Sequence, residues 1–124
     1  MFTIEEINEM LDEIAGELPG EVFRELNGGV SLLPETKLSD ADPDGCLYTL
    51  GEYRRDQMGR YIVIYYGSVR AVHGGDSREA LRINLKKLLI HELTHHLESL
   101  AGERDLEIED EIQLDEYLSG DSRG

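Results

Sequence analysis

One short run in the 124 residues concentrates the side chains that bind metals and move protons: His91-Glu92-Leu93-Thr94-His95. Residues four apart on an α-helix lie roughly 40° apart around the axis and one turn along it. Two imidazoles so placed can reach a single cation. Zn2+ suits imidazole nitrogen, and its catalytic sites keep one position open for water. Glu92, roughly 100° around from His91, would stand beside that water rather than on the ion. Its carboxylate can take the proton of the water and pass it to a leaving amine. The residue types and their spacing therefore point to hydrolysis of a peptide bond by a metal-activated water. His91 and His95 are the expected ligands and Glu92 the general acid/base.

Sites of this kind draw one more His, Glu or Asp from beyond the helix. No histidine follows His96. Asp105, after the glycine turn expected at Gly102, is the first choice; Glu98, Glu103, Glu107, Glu109 and a water are the alternatives. Glu98 continues the series of the two histidines, but a turn beyond the ion. A hydrogen bond to one of the imidazoles suits it better. His96 points about 100° away from His95, so it either supports a ligand from behind or packs against the sheet. His73, in a Gly-rich stretch, reads as a surface histidine. If carboxylates of the C-terminal segment closed the metal shell, the zinc would be structural and the chain a binding module without turnover.

The elements that must position these groups are legible from periodicity. Thr3-x-x-Glu6 is a capping box, and Ile4, Ile7, Leu11, Ile14 and Leu18 recur at helical spacing until Pro19-Gly20. A short helix over Glu21 to Leu26 and a turn at Asn27-Gly28-Gly29 follow, with a strand beginning at Val30. Pro34 to Gly45 reads as a loop, Cys46 to Leu50 as a strand, and Arg54 to Gly59 as a hairpin connection. Tyr61 to Tyr66, all β-branched or aromatic, is the clearest strand. It is expected either to lie centrally or to offer an edge to an extended substrate, carried onward by Gly67-Ser68-Val69-Arg70. Tyr65 or Tyr66 is a candidate hydrogen-bond donor to a developing oxyanion. Asp76-x-x-Glu79 opens a helix that runs to about Leu100. Leu81, Leu85, Leu88, His91 and His95 share one of its sides, and Leu89, Leu93, Leu97 and Leu100 another. So wide an apolar arc places this helix at the centre, with both histidines directed inward. Ile108, Ile112, Leu114, Tyr117 and Leu118 permit a last helix. The expected class is α+β, a small mixed sheet packed against a central helix that carries the metal motif.

The length suits one domain over residues 1–124. A formal net charge of −15 argues against nucleic acid and against an anionic membrane surface, both of which need clustered Lys and Arg. Ten acids and two arginines fall between Glu98 and Gly124, so residues 103–124 read as an acidic segment. A lone Cys46 and the lack of a basic, apolar start point to the cytoplasm. Short peptides or an unfolded protein segment are the expected substrates.

In its order of elements the chain resembles the zincin-like metallopeptidases of small bacterial proteins, a minimal metalloprotease domain. The likeness rests on the opening helix ending at Leu18-Pro19, the strand Ile62 to Gly67, and the helix leading into His91-Glu92-Leu93-Thr94-His95-His96. The doubled histidine is similar to the family pattern too. The resemblance implies ligation of Zn2+ by His91 and His95 and an acid/base role for Glu92. It differs from that pattern where the family has a glycine: Glu98 stands there, and Gly102 with Asp105 comes four residues later, about one helical turn.

Overall fold

The computed structural model describes residues 2–39, 47–57 and 59–103. Cys46, Asp105, Glu107, Glu109 and the last helix anticipated from Ile108 onward lie outside them. Helix α1 (Ile4–Glu17) starts as expected: Thr3 Oγ1 accepts from the Glu6 N–H and Glu6 Oε1 from the Thr3 N–H. A single 3-10 turn, Gly20–Phe23, replaces the longer helix anticipated to Leu26. Strand β1 is Gly29–Leu33. The stretch anticipated as a loop contains a two-residue strand, β2 (Lys37–Leu38), paired antiparallel with β3 (Tyr48–Thr49).

Strands β4 (Gly51–Asp56) and β5 (Gly59–Tyr65) form an antiparallel hairpin, and β1 runs parallel to β5 on its other side. The sheet order is therefore β1-β5-β4, a small mixed sheet with β5 in the middle. One expectation is corrected here, and of the two roles open to the Tyr61–Tyr66 strand the central one is found. Arg54 to Asp56 is strand, not connection; its side chains are polar because they are exposed, which an edge strand tolerates and a central one does not. The strand ending at Tyr65 offers no free edge; Ile62, Val63, Ile64 and Tyr65 are buried between two neighbours.

Tyr66 opens helix α2 (Tyr66–His73) rather than continuing the strand, so Gly67 to Arg70 is helical. The junction is tight. A Cβ on Gly67 would collide with Thr36 Oγ1 and stand 2.8 Å from the Glu35 carbonyl oxygen, to which the Gly67 N–H is bonded at 2.9 Å. Ser68, fully buried, donates to the Lys37 carbonyl and accepts from the Lys37 N–H, tying the β2–β3 ribbon to α2.

Helix α3 runs from Arg78 to Glu103. Ser77 is the residue that caps it, its Oγ accepting from the Ala80 N–H, while Asp76 bonds His73 and Asn84 instead. Gly102 lies inside the helix, not past its end. Leu81, Leu85, Leu89, Leu93, Leu97 and Leu100 are all buried and form the core with α1, the 3-10 turn and the inward side of β5. Their four-residue spacing advances about 40° at each step, so the buried stripe winds around the helix. The winding turns the side that is buried at Leu81 and Leu85 outward: Leu88 is half-buried, and His91 and His95 are exposed. Both histidines thus leave the interior that the sequence assigned to them. Among the described residues no helix is long and apolar enough to cross a membrane.

Gly67→Ala is expected to destabilise the fold by about 1–3 kcal/mol, the usual cost of overpacking a tight site. Thermal unfolding of parent and variant checks this, and an unchanged melting temperature would show that Glu35 and Thr36 yield freely.

Candidate metal centre

The outward turn of α3 places His91 and His95 in an open cleft of about 690 Å³ between the helix and β4, lined also by Glu52, Tyr53, Glu92 and Glu98. Their Nε2 atoms lie 3.2 Å apart, with ring planes at 86°. Two nitrogens bound to zinc at about 2.05 Å with a tetrahedral angle are about 3.3 Å apart. The pair therefore has the spacing of two neighbouring corners of a zinc site. Thr94 points away from them, its hydroxyl donating to the Ile90 carbonyl at 2.9 Å.

Glu92 behaves in the opposite way to the histidines. It is 6% exposed, tucked under the cleft. Burial pushes its carboxyl up; the charges of His91 and His95 and a backbone hydrogen bond from Tyr53 oppose this, and the nearby Glu52 adds to it. The net effect is a rise from the ordinary carboxylate value.

His96 is fully buried and fully used. Its Nε2–H donates to the Arg24 carbonyl at 2.6 Å, which leaves Nδ1 to accept from the Tyr53 hydroxyl at 2.9 Å. Burial lowers its proton affinity, so the ring stays neutral. Of the two roles open to it in the sequence, His96 packs against the sheet: both ring nitrogens serve the scaffold, and neither turns to His91 or His95. Through Tyr53 it fixes the strand whose backbone bonds Glu92. Glu98 lies exposed on the rim of the cleft. Among the described residues no group of three or more His, Cys, Asp or Glu side chains is arranged to hold an ion. Asp105, Glu107 and Glu109 fall outside those residues, as does the side chain of Glu103.

Sequence reasoning missed Glu52 and Tyr53. Glu52 Oε1 accepts from Lys37 Nζ at 2.7 Å, from Arg54 Nη2 at 3.0 Å and from the Tyr65 hydroxyl. Burial pushes its carboxyl up, but the hydrogen bonds of Lys37, Tyr65 and Arg54 outweigh it and hold it at about 2. The two tyrosines proposed as oxyanion donors are occupied elsewhere: Tyr65 by Glu52 and Arg54, Tyr66 by the Phe2 carbonyl at 2.7 Å. The alternation of Glu52, Tyr53 and Arg54 was the available signal, hidden by reading Arg54 onward as a turn. His73 is half-buried rather than on the surface, its Nδ1–H donating to Asp76 at 3.0 Å where α2 meets α3.

A solved structure of a conserved hypothetical protein from Thermus thermophilus matches this fold with a TM-score of 0.69. The two sequences are 32% identical over 82% of this chain and 99% of that one. The chain belongs to the family of that thermophile protein. No protein-family model matches the sequence, and no curated protein does. The family tie thus establishes the α+β fold with its small mixed sheet, while the chemistry is argued from the cleft.

Two outcomes are expected. Tyr53→Phe leaves a buried ring nitrogen of His96 without its donor, and should lower stability by about 1–3 kcal/mol in chemical denaturation; a loss within error would remove the bond from the scaffold. Glu52→Gln should cost about 1 kcal/mol at pH 7. Because folding depresses the Glu52 carboxyl from 4.5 to about 2, its contribution is complete above pH 4.5 and fades as pH falls toward 2. Urea titrations of parent and variant from pH 7 to pH 3 should converge; a constant gap would mean the network does not depend on the ionised carboxylate.

Proposed function

We propose that this protein is a zinc-dependent metallopeptidase of the zincin type, acting on short peptides or an unfolded segment of a protein. The observation that carries the reading is the pair of imidazole Nε2 atoms 3.2 Å apart in an open cleft, with the buried Glu92 next to them in the chain. Two rings at that separation fit one tetrahedral ion, and the cleft leaves room for a substrate at the remaining positions. Zn2+ held there would polarise a scissile carbonyl and acidify a water. A third ligand would come from Asp105, the first choice, or from Glu98, Glu103, Glu107 or Glu109.

The rest is work for the residues of the chain. Glu92 accepts the proton of the attacking water and hands it to the amide nitrogen as the C–N bond breaks, so that the amine departs neutral. Among the described residues, strand β4 pairs with β5 on one side only. Its backbone bond from Tyr53 to Glu92 reaches across the other side, toward the cleft. An extended peptide laid along that edge would pair with β4 by backbone hydrogen bonds, with its scissile bond beside Glu92. The edge expected of Tyr61–Tyr66 thus passes to β4. The closed structural site, in which carboxylates fill every position, is the less favoured reading because both histidines open onto the cleft. Hydrolysis of RNA fits poorly with a chain of net charge −15.

Purified protein is expected to bind one zinc per chain, and His91→Ala to lose it. Glu92→Gln should retain zinc but lose peptide cleavage by about 10²–10⁴-fold, the usual contribution of a general acid/base. Metal analysis with a fluorogenic peptide assay tests both. Cleavage by Glu92→Gln at the parental rate would overturn the mechanism.

A further inference from the structure

We infer that a peptide is held in one register by the backbone of Tyr53 and Gly51, and that the site cuts only bonds followed by at least two residues. The inference rests on the peptidase reading above and names its substrate class. The hairpin ladder determines which backbone groups of β4 turn to the cleft. In an antiparallel pair the N–H and C=O of one residue point to one side of the strand, and those of the next residue to the other. The Leu50 carbonyl accepts from the Tyr65 N–H at 2.9 Å, so Leu50 faces β5. Gly51 therefore faces away, Glu52 faces its partner Val63, and Tyr53 faces away again. Two bonds agree with this alternation. Tyr53 gives its N–H to Glu92 across the cleft. Arg60, in step with Ile62 and Ile64 on β5, gives its carbonyl to the Gly28 N–H at 2.8 Å, on the side of β1.

Gly51 and Tyr53 both line the cleft with His91, Glu92 and His95. Gly51 lies close against α3, where a Cβ would stand 3.3 Å from Leu88 Cδ1. Leu88 is one turn before Glu92, so β4 runs in the direction of the helix here, from Gly51 to Tyr53. What the two residues offer is unequal. Gly51 presents both an N–H and a C=O. Tyr53 presents only its C=O, because Glu92 holds its N–H. A peptide strand running antiparallel to β4, the direction with the stronger ladder, makes two bonds with Gly51. Opposite Tyr53 it makes one. Its N–H is accepted there, but its carbonyl meets no donor and lies beside the carboxylate that took the donor. A carbonyl left out of the ladder next to Glu92 is the one open to attack, and the bond after it is the one cut. Along an antiparallel strand, the residue paired with Gly51 is then the second after the cut. Two of the three backbone bonds depend on that residue. A peptide that ends one residue after the cut lacks both.

The test uses the full-length, zinc-loaded chain and fluorescent peptides, with cleavage and binding by anisotropy read in parallel. One series is lengthened residue by residue after the cut, and another before it. Adding the second residue after the cut is expected to raise cleavage and binding about tenfold, the effect of two hydrogen bonds. Further residues on either side should add little. In a second set, single peptide N–H groups are methylated. Methylation of the residue before the cut, or of the second after it, should weaken binding about tenfold. Methylation of the second residue before the cut, or of the third after it, should be tolerated, because those N–H groups turn away from β4. Every change is made in the peptide, so the folding of the protein does not enter. Cleavage without this alternation, or with the larger gain from residues before the cut, would overturn the register and leave the peptidase reading standing. Alternation in binding with no peptide cleaved would keep the pairing and sink the hydrolase, together with the cut assigned to it. No binding of any peptide would overturn the pairing.

Discussion

A buried, neutral histidine holds the cleft together. His96 sits where α3, the 3-10 turn and the sheet meet, and its two ring nitrogens satisfy one partner on each side: the Arg24 carbonyl and the Tyr53 hydroxyl. The Arg24 carbonyl can only accept, so it places the ring proton on Nε2 and leaves Nδ1 to accept from the Tyr53 hydroxyl. Strand β4 is thereby fixed at one height on α3. The hairpin ladder holds β4 to β5, and the His96 link adds a direct tie from β4 to α3. Every geometric feature of the cleft depends on this register: the reach of the Tyr53 backbone to Glu92, the placing of Glu52 on the wall, and the distance of the free edge from His91 and His95.

The helix itself resolves a conflict between packing and chemistry. The proposed metal ligands need access, and the proposed proton carrier gains from burial. Both lie within five consecutive residues. A stripe with a strict 3.6 period would have kept one side buried along the whole helix. The four-residue leucine spacing instead turns the buried side progressively, so that at the motif Glu92, Leu93, His96 and Leu97 are inside while His91 and His95 are outside. Adjacent residues about 100° apart can then belong to opposite environments.

This explains which parts of the architecture could be read in the chain. The capping box at Thr3, the α1 stripe, the Tyr61–Tyr65 strand and the long leucine helix are local patterns, and each appears where its periodicity puts it. Helix α2 was hidden because Tyr66, Val69 and Val72 favour strands, and only the Gly67 contact with residues 35 and 36 forces the turn. Strand β4 was hidden because its polar half follows from being at an edge, and an edge is a property of the sheet. The roles of Glu52, Tyr53 and Lys37 belong to pairings of 13, 15 and 43 residues' separation, beyond any periodic signal. The motif revealed which atoms could do chemistry, but not that the carboxylate would be the buried member.

The electrostatics of the cleft then follow from the same placement. Glu92 is raised chiefly by burial, with Glu52 adding to the rise and His91 and His95 opposing it. Lys37 and Arg54 hold Glu52 ionised from the outer side of the sheet. The two carboxylates differ in proton affinity: Glu52 is held at about 2, and Glu92 is raised from its ordinary value. A pair of equal carboxylates would share protons and neither would have a fixed role. On the proposed reading, this difference gives proton transfer to Glu92 alone.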